Sequence, residues 1–295
     1  MLTRRGFNST VCTAIGFLLA GRGAMAAPSS PPFADQMTQL EAKSGGRLGV
    51  AVLDTKDGAL LEHRGDERFP MCSTFKLLAA ATVLKGSGDD LAGLQRRVRF
   101  EKSDLVTYSP ETEKHVGGDG MSLSEICEAA ITLSDNTAAN LILKNIGGPE
   151  GLTTFARSLG DQVTRLDRIE PELNEAIPGD PRDTTAPNAM AASVRKLLLG
   201  DALNESARGQ LARWLVANKT GDARLRAGLP RAWRVGDKTG TGRDGTGTNN
   251  DVAIVWPANR PPLIIACYLT GSTLEMAAQN EIIASIGRAV GTAFG

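Results

Sequence analysis

Histidine and cysteine are nearly absent from this 295-residue chain, which has two histidines and four cysteines. Cys12, Cys72, Cys127 and Cys267 are scattered, with no Cys-x-x-Cys, and with only His63 and His115 beside them no zinc-ligand pattern forms. Histidines placed this way also argue against a Ser-His-Asp triad. An excess of positive charge is missing too: 33 basic residues face 33 acidic ones. Arg4, Arg5 and Arg22 fall within residues 1–26, where there is no acid, so a chain without that segment carries three more acids than bases. Such a balance argues against nucleic-acid binding. No run is long enough for a transmembrane helix near the N-terminus, where the apolar stretch Val11 to Ala20 is too short to span a bilayer.

That short stretch reads instead as an export signal. Arg4 and Arg5 precede it, and Ala24-Met25-Ala26 offers a small-residue cleavage site, so residues 1–26 are expected to be removed. Thr3-Arg4-Arg5-Gly6-Phe7 looks like a twin-arginine motif, which favours export of a folded protein. Cys12 would leave with this segment. Three cysteines remain, an odd number, so at least one is free unless it pairs between chains.

Composition otherwise suits a globular chain, 41% hydrophobic and 22% charged. After a proline-rich link (Ala27 to Pro32), Phe33 to Lys43 reads as a helix. Arg47 to Asp54 alternates like a strand, and Thr55-Lys-Asp-Gly58 turns into a partner strand at Ala59 to His63. Helical patterns dominate from Ser73 to about Ile146, with a capping box at Ser122-Leu-Ser-Glu125 and a stop at Gly147-Gly148. They recur at Ala189 to Leu199 and Glu205 to Asn218. Strand patterns return at Trp233 to Thr239, Asp251 to Trp256 and Leu263 to Thr270, and Leu274 to Ala293 closes as a helix. Strands, helices, strands, helix is an α+β order in which both chain ends build one sheet. Residues 165 to 183 are polar, carry three prolines and read as a long surface loop.

Four short patterns carry possible chemistry. Ser73 and Lys76 stand three apart at a helix start, sharing one face, where backbone N–H groups favour developing negative charge. Ser193-Val-Arg-Lys196 repeats the spacing and reads as ordinary helix surface. Ser134-Asp135-Asn136 sits between two helical runs, where a polar turn and N-cap is the plainer explanation. Lys238-Thr239-Gly240 ends a strand pattern, so its lysine can point into a cleft. Its copy, Lys219-Thr220-Gly221, ends a helix, where a lysine usually points to water. Lastly, Glu170 and Asn174, in the long loop, could face each other and hold a water, although a solvated acidic loop is also open.

Taken in this order, the patterns resemble the signature of class A serine β-lactamases, S-x-x-K, S-D-N and K-T-G. The similarity runs through Tyr108-Ser-Pro110, Glu113-Lys-His115, Glu170-Pro-Glu-Leu-Asn174 and Trp233 to Gly240. It implies a three-layer α/β/α sandwich with an antiparallel five-stranded sheet. Residues 27–67 and 222–295 would form the α/β domain, and residues 68–221 an inserted all-α domain carrying the Glu170 loop. It also implies hydrolysis of β-lactam antibiotics, penicillins and cephalosporins, through an acyl-serine, with no cofactor and no metal, by a periplasmic or secreted monomer that has no membrane attachment once the signal is gone.

By the same resemblance Ser73 attacks and the N–H groups of Ser73 and Thr241 hold the oxyanion. Lys76 and Ser134 relay protons beside Lys238, and Asn136 bonds the substrate amide. Glu170, with Asn174, positions and deprotonates the hydrolytic water. The acylation base, Lys76 or Glu170, stays open. Some relatives place an arginine on the strand after K-T-G. Gly247-Thr248-Asn249 offers none, and Arg224 matches the alternative position. Thr239, Gly240 and Thr241 join Arg224 around the substrate, and Tyr108 lines the cleft. Arg168 and Asp183 are expected to pair across the loop neck, and Glu170-Pro171 to be cis. The positions that pair with Cys72 and Cys127 in disulfide-bearing relatives hold Gly242 and Ala80, so no disulfide is expected. The same three motifs also serve penicillin-binding peptidases and acylated β-lactam sensors. The Glu170 loop separates the first rival, and the want of a second membrane segment argues against the other.

Overall fold

A computed structural model describes residues 32–295, so the expected export signal and most of the link behind it lie outside the described residues. The first elements are α1 (Phe33–Ser44), β1 (Arg47–Asp54), β2 (Leu60–His63), β3 (Phe69–Pro70) and α2 (Phe75–Lys85). Next come β4 (Arg97–Val98), β5 (Met121–Ser122), α3 (Leu123–Thr132), α4 (Asn136–Ile146), α5 (Gly148–Ser158) and β6 (Thr184–Thr185). The chain then runs through α6 (Pro187–Leu198), α7 (Glu205–Val216), α8 (Leu225–Gly228), β7 (Arg234–Thr241), β8 (Asn249–Trp256), β9 (Leu263–Thr270) and α9 (Met276–Phe294).

Five strands form one antiparallel sheet in the order β2-β1-β9-β8-β7, built from the early and late parts of the chain as expected. Its central strands read as nearly continuous apolar runs because both faces are covered. Alternate residues divide between the two sides: Leu48, Val50, Val52, Ile265 and Cys267 face one core with α9, while Ala51, Leu53, Ile264, Ala266 and Tyr268 face the other with α2 and α6. The arrangement is α+β in three layers.

Helix α2 is apolar on nearly every side and therefore sits inside the second core, with Phe75, Leu77, Leu78 and Ala79 through Ala81 all buried. Ser122 and Glu125 form the expected capping box of α3. Gly147 stops α4 in the left-handed conformation at φ 90°, yet α5, which was not anticipated, restarts at once because Pro149 suits a first helical turn.

Two expectations need correction. Residues 86 to 121 are not helical: glycines at 86, 88, 93, 117, 118 and 120 break the pattern into turns, 3₁₀ segments and the small β4–β5 pair. Strand β7 also runs two residues further than its apolar pattern, because Gly240 and Thr241 pair with Asn250 and Asn249, residue types that hide a strand end. Cys72, Cys127 and Cys267 are free and buried.

Candidate active site

Ser73 lies in a 3₁₀ turn, Cys72–Thr74, that feeds directly into α2. Cys72 there adopts φ 46°, a left-handed backbone that a non-glycine residue keeps only when its surroundings impose it. One turn on, Lys76 is fully buried. Its ammonium donates to the Ser134 carbonyl (2.8 Å), Asn136 Oδ1 (2.7 Å) and Ser134 Oγ (3.4 Å), and pairs with Glu170 Oε1 at 2.9 Å. Ser73 Oγ donates to that same Glu170 oxygen at 3.2 Å. The charge buried in the apolar helix is thus compensated by one carboxylate and three neutral acceptors, and serine and lysine meet on a shared acceptor.

Ser134 and Asn136 are presented by the start of α4. Asp135 caps that helix at Ala138 N (2.8 Å), and its other oxygen takes the N–H groups of Glu111 (3.0 Å) and Thr112 (2.9 Å). The plainer N-cap explanation of this tripeptide therefore holds for Asp135, while its neighbours turn inward. Asn136 N donates to the Tyr108 carbonyl at 3.0 Å, which leaves the exposed Tyr108 ring at the cleft mouth.

The opposite wall is β7. Lys238 is fully buried and donates to Ser134 Oγ (3.1 Å) and the Thr239 carbonyl (3.0 Å). Burial, followed by the neighbouring Lys76 cation, pushes its pKa well below the ordinary lysine value. Burial likewise lowers Lys76, with Glu170 opposing the shift. The two ammonium groups thus flank the Ser134 hydroxyl, at 3.4 Å from Lys76 and 3.1 Å from Lys238.

Glu170 stands on the 165–183 loop and is fully buried. Its bond to Pro171 is cis, and Asn174 Nδ2 donates to its Oε2. Arg168 Nε reaches Asp183 Oδ2 at 2.6 Å, pairing across the neck as expected, and Arg168 also bonds Glu175. Sequence reading missed Asn140. Its amide donates to the Glu170 carbonyl and accepts from the Glu170 N–H, both at 2.9 Å, so α4 clamps the backbone of the loop. The signal available was a second amide four residues after Asn136, on the same helical face.

A cavity of about 370 Å³ opens above these groups, lined by Ser73, Tyr108, Ser134, Asn136, Asn174, Arg224, Thr239, Gly240 and Thr241, with Thr220 in addition. Lys76, Glu170 and Lys238 lie fully buried beneath this surface layer. Arg224 is buried against the β7–β8 backbone, donating to Gly240 O (2.8 Å), Asn250 O (2.6 Å) and Thr241 Oγ1 (2.8 Å). The two repeated patterns depart from expectation at their threonine and serine. Lys219 does point outward, but Thr220 Oγ1 meets Thr239 Oγ1 at 2.5 Å and joins the cleft wall. Ser193 is not surface: it is buried and donates to Asp161 Oδ2 at 3.2 Å, because the α6 face that carries it packs toward the loop base. His63 bonds Glu41 and His115 bonds Glu111, both outside the cavity lining.

A serine, two buried lysines and an inward carboxylate on an α/β/α frame define a serine acyl-transferase or hydrolase of the penicillin-recognising kind. A β-lactamase enzyme family model matches residues 32–294, and the chain belongs to that family, in its class A. It is 52% identical to the β-lactamase CTX-M-97 of Escherichia coli over 255 residues, covering 86% of this chain and 87% of that one. To the β-lactamase OXY-2 of Klebsiella oxytoca it is 50% identical over 273 residues, covering 92% and 93%. The solved structure of an ancestral class A β-lactamase (GNCA) superposes with TM-score 0.86 at 63% identity, covering 89% of this chain and 100% of the other. The protein is a β-lactam hydrolase.

Proposed function

We propose that the enzyme opens penicillins and cephalosporins in two steps through an ester on Ser73. The observation that carries this reading is the convergence of Ser73 Oγ and Lys76 Nζ on Glu170 Oε1. Ser73 Oγ attacks the lactam carbonyl, its proton passing to the Lys76–Glu170 pair. The carbonyl oxygen becomes an oxyanion held by the N–H groups of Ser73 and Thr241, where one such donor is worth about 10²–10³ in rate. The C–N bond then breaks, and the nitrogen takes a proton from Ser134, whose hydroxyl is restored through Lys76 by the proton that Ser73 gave up.

Asn136 binds the substrate side-chain amide, while Arg224 places positive potential beside Thr239 and Thr241 for the carboxylate. Tyr108 and Gly240 bound the space between. Glu170 and Asn174 hold a water, Glu170 takes its proton, and the resulting hydroxide attacks the ester carbonyl. Ser73 leaves as the alcohol, recovering the proton that Glu170 took from the water. We also read residues 1–26 as the export signal of a monomer that works in the periplasm or outside the cell.

Intact-mass time courses with benzylpenicillin, run beside Glu170→Ala, test this function. The expected result is ring-opened product without a lasting adduct for the wild type, and one retained acyl group for the variant. A wild type that itself stays acylated would instead be a penicillin-binding peptidase or a sensor. A cephalosporin that is bound and never turned over would remove the second substrate class.

A further inference from the structure

Asn250 is a fully buried amide near the start of β8, where a polar side chain is costly unless its bonds are made. Its Nδ2 donates to the carbonyls of Pro70 (2.9 Å) and Met71 (3.1 Å), the two residues before Cys72 and Ser73. Its Oδ1 has no partner among the described residues, so the site keeps this amide although half of it is unpaired. Across the β7–β8 ladder Asn250 stands directly opposite Gly240, the residue before Thr241. A Cβ on Gly240 would come 2.7 Å from Met71 O and 3.3 Å from Asn250 Nδ2, so strand and nucleophile segment lie flush with the amide between them. The Asn250 carbonyl also accepts from Arg224 at 2.6 Å.

One side chain therefore lies between the chain that presents Ser73 and Gly240, the ladder position next to Thr241. We propose that Asn250 is the positioning residue of the oxyanion site: by tying Pro70 and Met71 to β8, it sets how the Ser73 N–H stands relative to the Thr241 N–H. The strained Cys72 backbone, the next residue after the tie, is held from this side. Asn250 touches no reacting atom in this account, and the assignment rests on the acyl-serine reading above.

The test compares Asn250→Leu, close in size and without a donor, with Asn250→Ser, which keeps a hydroxyl. Phenylboronic acid is the probe, because its tetrahedral adduct on serine places an oxygen where the oxyanion forms. In folded Asn250→Leu, kcat/KM for benzylpenicillin should fall at least about tenfold through kcat, as expected for a displaced reacting group. The boronate affinity should fall in step, and Asn250→Ser should recover part of both. A merely structural role would lower Tm and leave kcat and boronate affinity at 25 °C within about twofold, which overturns the assignment. If neither variant folds, the Asn250 side-chain amide resonances of the wild type decide: they should shift on boronate addition, and unmoved resonances count against the proposal. A wild type that fails to hydrolyse benzylpenicillin would instead sink the functional reading itself.

Discussion

Two segments of this chain carry a serine three residues before a lysine, and the fold treats them in opposite ways. In both, the serine is buried and bonded to a carboxylate: Ser73 to Glu170 and Ser193 to Asp161. The lysines part company. Lys76 is fully buried among four oxygen contacts, whereas Lys196 is exposed and caps the Leu159 carbonyl. The carboxylates differ as well. Asp161 is spent on fixed donors, taking Val163 N (2.8 Å), Thr164 N (2.9 Å) and the Thr164 hydroxyl, while Glu170 meets the two groups that line and underlie the cleft. Helical spacing brings serine and lysine to one face. Reactivity in this reading comes from burying the lysine against a loop and a helix start far away in sequence.

The largest test of this contrast is a matched pair of alanines. Ser73→Ala should reduce kcat for benzylpenicillin by roughly 10⁴ or more, whereas Ser193→Ala should keep kcat within about threefold and lose only about 1 kcal/mol in urea unfolding. Comparable losses of activity from both would break the distinction.

A smaller effect is expected at Asp161. Asp161→Ala leaves buried donors at Val163, Thr164 and Ser193 unpaired and should destabilise the protein by about 3 kcal/mol, read as a shift in urea midpoint. If the midpoint does not move, the Ser193 side of the comparison is not a structural brace.

The smallest effect is a pH slope. Burial holds the Lys76 ammonium below the usual 10.5, so between its native value and 10.5 the unfolded chain binds more protons than the native one. Unfolding free energy therefore rises with pH across that window. Urea titrations at several alkaline pH values should show a shallower rise in Lys76→Met, and an unchanged slope would mean that the lysine is not held as its surroundings demand.

How much of this was readable depends on the kind of evidence each residue leaves. Strands β1 and β9 announced themselves because alternate apolar residues serve two cores. Ser73, Lys76, Ser134, Glu170 and Lys238 stood out because they recur in one ordered set of short patterns, and the cleft gathers Ser73 and Ser134 at its lining with the other three beneath. Asn140, Thr220 and Asn250 left no such mark. Asn140 looked like one of several amides in a helical run, Thr220 belonged to a pattern set aside as a helix end, and Asn250 lay just before the strand expected from Asp251.

By itself, the sequence determined the elements with a clear period, the helix caps and stops at Ser122 and Gly147, and the chemical types available for acyl transfer, because these depend on neighbours a few residues apart. The tertiary structure alone decided which serine–lysine pair shares a buried carboxylate and which amide ties β8 to the chain before Ser73. Those outcomes depend on contacts such as Ser73–Glu170 and Met71–Asn250, which are 97 and 179 residues apart, and local patterning carries no information across such separations.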